Sequence, residues 1–319
     1  MSFKPAAILG VLALGVAAAL GVAVVHLHHG GLGGIHHHGA GASPNTQAAA
    51  VHAARAGVAA LGKQWNASVA EATTELYAKL TPQDTAGIRR LVDLQYGPHE
   101  QQRLDLFVPE GGFSELTTVL VYLGDDMSRG GPNLGNSAAS VGAIGVVARY
   151  RQAPNAEWST GAEDVRMLLT WLRDNIEPYG GDPHNIVLMG HSTGAAHVAT
   201  YLFDEAAQLA GGPGITAAIL SSGAFAEGAD RAHTPLALVD SYAGPAVPIL
   251  LWSAEYDVPA VETSVAELYA KLCRKYADCP MFVQLQGHNR VSPVLSIGTE
   301  DTTVANVIMR FYHSVIDAR

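Results

Sequence analysis

Residues 186–197 read IVLMGHSTGAAH: four apolar residues, then Gly-His-Ser-Thr-Gly, then a run of small residues. The apolar stretch suits a buried strand, and Ala195, Ala196, His197, Val198 and Ala199 suit a helix, so Ser192 falls at a strand-to-helix turn. A sharp turn there strains the serine backbone and exposes its hydroxyl. Side chains at positions 190 and 194 would collide, which is the physical reason for glycine at both. With 34 glycines among 319 residues, roughly 0.2 such pentapeptides arise by chance, so the context carries the reading more than the letters do. The amide of Thr193 opens the helix and is free to donate to an anion.

A serine hydroxyl is a poor nucleophile until a base accepts its proton, and the base needs an acid to hold its tautomer. In this strand-turn-helix setting the acid and then the histidine are expected after later strands. PILLWSAEYDVP (248–259) offers Asp257, with Glu255 as the alternative, and MFVQLQGHNRVSP (281–293) offers His288, just after Gly287. The competing readings are a helix cap for Asp257 and a surface loop for His288. His191 sits in the same tight turn as Ser192 and cannot easily aim its ring at that hydroxyl. His197 lies a turn further into the helix.

The text around these residues alternates strand and helix. LVDLQYG and QRLDLFV, joined by PHEQ, predict an antiparallel hairpin. Short apolar strands are expected at 118–123, 143–148, 186–189, 217–220, 248–252 and 281–285. AEDVRMLLTWLRDNI places Val165, Leu168, Leu169, Leu172 and Ile176 on one helical face, and VETSVAELYAKL and TTVANVIMRFYHSVI behave similarly. The expectation is an α/β protein: a mostly parallel sheet with an N-terminal antiparallel hairpin and helices on both faces, binding ligands beyond the carboxyl ends of its strands.

The chain divides into four expected parts. Residues 1–25 carry 20 uncharged, mostly apolar residues from Ala6 to Val25, enough as a helix to span roughly 30 Å, and read as a signal-anchor or a cleaved signal peptide. Either reading exports the remainder of the chain, to the periplasmic or extracytoplasmic side of an inner membrane or into the medium. Residues 26–46 form a His- and Gly-rich linker containing His26, His28, His29, His36, His37 and His38. Such a tract can capture Zn or Cu, but a Gly-rich chain fixes no ligand geometry, and the reading preferred is a flexible tether with no metal site. Residues 47–89 read as a helical segment and 90–319 as the catalytic domain. A formal charge of -10 with no basic cluster argues against a nucleic-acid partner. The two cysteines, Cys273 and Cys279, are close enough along the chain to pair in an oxidising compartment or to remain two thiols.

Taken together, YGPHEQQRLDLFVP, RYRQAPNAEW, YGGDPHNIVLMGHSTGAAHVA, SAEYDVP and GHNRVSPVLSIGT resemble the α/β-hydrolase fold serine esterases, in the bacterial carboxylesterase and feruloyl-esterase-like group that neighbours the kynurenine formamidases. The resemblance covers roughly residues 60–319. It implies a small-molecule ester substrate, no cofactor, and Ser192, Asp257 and His288 as a catalytic triad. One motif departs from the pattern. Where these esterases usually carry a His-Gly-Gly-Gly loop, this chain reads Gly124, Asp125, Asp126, Met127. The amides expected to form the oxyanion hole are then those of Thr193, Gly124 and Asp125, and loss of one such donor typically costs roughly 10²- to 10³-fold in rate. The alternatives kept open are a weakly active or inactive relative that binds a small acyl or aromatic ligand, an arylformamidase-like amidase, and an envelope protein in which the anchor and tether are the point.

Overall fold

The computed structural model describes residues 44–80, 84–124, 130–152, 156–158, 160–228 and 231–317. The expected anchor at 1–25 and the six tether histidines lie outside them. Among the described residues no helix is long and apolar enough to cross a membrane.

Eight strands form one sheet: β1 (Ile88–Gln95), β2 (Arg103–Pro109), β3 (Thr117–Leu123), β4 (Ile144–Ala148), β5 (Gly181–His191), β6 (Ala217–Ser221), β7 (Ile249–Ala254) and β8 (Met281–Leu285). Their order is β1-β2-β4-β3-β5-β6-β7-β8. β1 pairs antiparallel with β2, and β2 antiparallel with β4; from β4 to β8 every pairing is parallel. The predicted hairpin and all six predicted strands are therefore present, and so is the mostly parallel α/β architecture. β4, β6 and β7 are buried along their whole length, which is why they read as unbroken apolar runs and not as alternating ones.

Helices cover both faces. On one side, α4 (Thr160–Asn175), α5 (Thr193–Phe203), α6 (Pro235–Ser241) and α7 (Pro259–Lys275) pack on Val119, Val121, Leu123, Ile186, Leu188 and Leu220. The face predicted for α4 is the one buried, with Val165, Leu168, Leu169 and Leu172 fully inside. On the other side, α3 (Gly131–Ser140) and α9 (Thr303–Ile316) meet Phe107, Tyr122, Val147, Met189 and Trp252. Adjacent residues of one strand thus serve opposite faces, as strand geometry requires. Cys273, near the end of α7, and Cys279, just before β8, form a disulfide.

A third apolar cluster positions the site. The N-terminal helices α1 (Pro44–Leu61) and α2 (Ala67–Tyr77) contribute Ala54, Val58 and Tyr77, which pack with Leu80 on Val291 and Leu295 beside the short helix α8 (Ser292–Ser296). Asn66 starts α2 by accepting a hydrogen bond from the Val69 amide at 2.9 Å. Arg55 on α1 grips Asp301 through Nε at 3.0 Å and Nη2 at 2.5 Å. The Arg55 pair and the Tyr77 hydroxyl, which donates to Asp301 Oδ2 at 3.3 Å, hold α1 and α2 against the segment after β8.

Candidate active site

Ser192 stands where the sequence puts it, between the end of β5 and the start of α5, with φ 58 and ψ -123. A non-glycine residue at positive φ is strained, and persists only where its surroundings over-determine it. The surroundings here are close backbone contacts. A side chain on Gly194 would strike the carbonyl oxygen of Leu123 at the end of β3, and one on Gly190 would strike Gly194 and Ala195. The Ser192 amide continues the sheet pairing by donating to Ser221 O at 2.9 Å. The serine is thus clamped between three strand ends.

Of the expected oxyanion donors, Thr193 is the first residue of α5, so its amide lacks a preceding turn to bond. Gly124 comes directly after β3, and its nitrogen lies 3.6 Å from the point a Gly194 Cβ would occupy. Asp125 and Met127 lie outside the described residues.

Asp257 is fully buried just after β7. Its Oδ2 accepts from Ser222 Oγ and from the Ala254 amide, both at 2.8 Å, while Oδ1 has no hydrogen-bond partner. Burial pushes its pKa up to about 6 against the pull of those two donors. His288 is also fully buried, in the loop after β8. Its carbonyl accepts from the Tyr256 amide at 2.8 Å, which joins this loop to the one carrying Asp257. Its ring faces the other way. Nδ1 is 3.0 Å from Ser292 Oγ and 3.3 Å from Tyr77 OH, and Nε2 lies 3.7 Å from Asp301 Oδ2 without a hydrogen bond. Burial lowers the imidazole pKa to about 4, with Asp301 opposing and Arg55 adding to the shift. Asp301 itself is pushed up by burial but held below its ordinary value overall by Arg55 and His288.

The three predicted triad residues therefore stand beyond the ends of β5, β7 and β8, but no hydrogen bond joins their side chains. The group on Ser192 Oγ is Arg290, which donates from Nη2. Sequence reasoning did not single out Arg290, Asp301, Tyr77 or Ser222. Arg290 had one local signal, its place two residues beyond His288. Tyr77 and Ser222 had none, because each arrives from an element distant in sequence, and Asp301 had none, because α8 separates it from His288 along the chain.

The two competing histidines are accounted for by packing. His191 Nδ1 is 2.9 Å from Ser221 Oγ, and its pKa falls to about 3 through burial and then through Arg290. His197 lies between the rings of Tyr150 and Trp158, at 4.9 and 5.0 Å between centroids. Trp158 also lines a cleft between α4 and α5 with Ala162, Arg166 and Thr200.

Residues 141–243, which include the Ser192 elbow but not Asp257 or His288, match the Carboxylesterase family. Esterase B1 of Culex pipiens is 30% identical over 104 residues, 32% of this chain and 19% of that protein. A probable isoprenylcysteine alpha-carbonyl methylesterase of Arabidopsis thaliana is 31% identical over 125 residues, 38% of this chain and 30% of that protein. The chain thus matches less than a third of the length of either relative. Among solved structures, esterase B from Lactobacillus Rhamnosis aligns with a TM-score of 0.60 at 14% identity, covering 85% of this chain and 96% of that one. A structure of a Rhizomucor miehei esterase aligns at 0.62 and 15% identity, covering 84% and 98%. With the eight-stranded sheet, the strained serine elbow and these likenesses, the chain has the α/β-hydrolase fold, and its middle third resembles the carboxylesterases.

Proposed function

We propose that the protein hydrolyses carboxylic esters through an acyl-enzyme formed on Ser192. The observation that carries this reading is the backbone of Ser192, held at φ 58 between Gly190 and Gly194 with the Thr193 amide beside it. Strain of this kind is expected where a hydroxyl must be presented to a substrate.

In the proposed reaction His288 takes the serine proton as Oγ attacks the carbonyl carbon. The same imidazole then protonates the departing alcohol, and afterwards activates the water that releases the acid. Asp257 fixes the ring, and the Thr193 and Gly124 amides receive the charge that develops on the carbonyl oxygen. This chemistry requires the His288 ring to turn from Asp301 toward Asp257. Three features favour the turn: Nε2 has no hydrogen bond to give up, Asp257 Oδ1 has none to share, and the Tyr256 to His288 backbone bond keeps the two loops together. Export of the domain belongs to the same proposal and rests on the apolar run Ala6–Val25.

A second reading, a weakly active relative that binds an acyl ligand in the same cleft, is favoured by one observation: a guanidinium rather than an imidazole meets Ser192. A fluorophosphonate probe and p-nitrophenyl butyrate separate the two. The hydrolase reading expects covalent labelling and turnover, both abolished by Ser192→Ala, with turnover reduced about 10³-fold by His288→Gln. Absence of both labelling and turnover in the unmodified chain, with acyl ligands still bound, gives the second reading.

A further inference from the structure

Arg290 is a partly buried cation with no acidic partner within ion-pair distance among the described residues. Its Nη2 donates to Ser192 Oγ. Its Nε, on the same edge of the guanidinium, is buried and has no hydrogen-bond partner. The face of the group rests on Trp65, 5.3 Å from the ring centroid, in the connection between α1 and α2. Asp257, the nearby buried acid, senses the charge of Arg290 but is not paired with it.

A buried donor left without an acceptor is costly, and a cation held away from bulk water without a counter-charge more so. The Nε–Nη2 edge is the one that a carboxylate fills with two parallel hydrogen bonds. An aromatic face behind the guanidinium holds the fork in one orientation. These features fit a charge whose partner arrives with the substrate. We propose that Arg290 reads a free carboxylate on the substrate, so that the preferred esters are half-esters of short dicarboxylic acids. The carboxylate takes the Nε–Nη2 edge while the ester carbonyl, a short spacer away, lies at Ser192 Oγ. Occupying that edge also draws Nη2 off the serine hydroxyl, leaving Oγ to the base. This inference rests on Ser192 being the atom that meets the ester carbonyl.

The test measures binding, so it does not depend on turnover. Monomethyl succinate and dimethyl succinate differ in one methyl group and one charge. Titration calorimetry on full-length Ser192→Ala is expected to show the monomethyl ester bound about tenfold more tightly than the dimethyl ester. In Ser192→Ala/Arg290→Gln the two are expected to bind alike, and Arg290→Lys, which keeps the charge without the fork, to keep only part of the preference. Equal binding of the two esters to Ser192→Ala, no binding of either, or a preference that survives Arg290→Gln overturns the proposal. If Arg290→Gln does not fold, a full preference retained in Arg290→Lys overturns it. Fluorophosphonate labelling of the unmodified chain reports separately on Ser192 as a nucleophile. A labelled serine with no charge preference sinks only the carboxylate site, whereas a charge preference with no labelling sinks only the hydrolase reading.

Discussion

Gly190 lies directly against Gly194: a Cβ placed on Gly190 would come within 2.6 Å of the Gly194 carbonyl oxygen and 2.7 Å of Ala195 Cα. Both obstacles are backbone, so neither can rotate away. Gly190→Ala must therefore push β5 and the first turn of α5 apart, at a cost of about 1–3 kcal/mol for overpacking of this kind. Ser192 rides on that turn, so activity is expected to fall further than stability, by about 10²-fold for an ångström of displacement. Thermal melts alongside ester hydrolysis check this. A variant with unchanged rate would show that the elbow does not govern the serine.

Acid should destabilise the fold well before ordinary carboxylates titrate. Burial holds His191 near about 3 and His197 and His288 near about 4, against 6.5 for each in an open chain. As pH falls below 6.5 the unfolded imidazoles take up protons that the native ones refuse, so the stability they contribute at neutral pH is lost toward pH 4. Asp257 acts in the opposite sense. Raised to about 6 by burial, it holds a proton in the native state that the unfolded chain releases down to 3.8. Three imidazoles outweigh one carboxyl, so the denaturant midpoint is expected to drop between pH 7 and 4.5. A midpoint that stays level or rises on acidification contradicts this.

The same burial of His288 sets the acid limb of catalysis. For a neutral ester, kcat/KM reports the free protein's base, whose pKa is lowered to about 4. The rate is therefore expected to fall in two steps, first as Asp257, which fixes the ring, takes up its proton at about 6, and again as His288 takes up its own below about 5. A half-maximal rate at pH 6.5 or above would place the imidazole in water, contrary to its burial.

Arg55 joins stability and chemistry. Arg55→Ala leaves Asp301 buried without its cation, at a cost of about 2–4 kcal/mol, somewhat below the figure for fully enclosed pairs because Arg55 is partly exposed. It also removes a charge that holds the His288 pKa down while leaving Asp301, which pulls it up. The acid limb of kcat/KM should then move to higher pH. Loss of stability with an unmoved limb would confine Arg55 to anchoring α1.

Periodicity and local steric rules made much of this molecule legible. The run Val119 to Leu123 must be a buried strand because every residue in it is apolar, and Val165, Leu168, Leu169 and Leu172 must face a core because they recur at helical spacing. Gly190 and Gly194 disclosed the elbow because backbone crowding acts over a few residues, and it is visible wherever those residues are written. Asp257 and His288 were legible as loop residues after strands, since chain order and strand ends suffice for that.

Which side chain meets the serine is decided at longer range. His288 and Arg290 are two positions apart in one loop, and nothing local says that the first turns to Asp301 while the second reaches Ser192. That outcome depends on Tyr77 and Trp65, brought by the N-terminal helices, and on Asp301, fixed by Arg55 from α1. Short-range crowding and periodicity can be read in sequence order because the atoms concerned are neighbours in the chain. The partners of a side chain in a loop are chosen by packing among elements separated by scores or hundreds of residues, and only the folded chain brings them together.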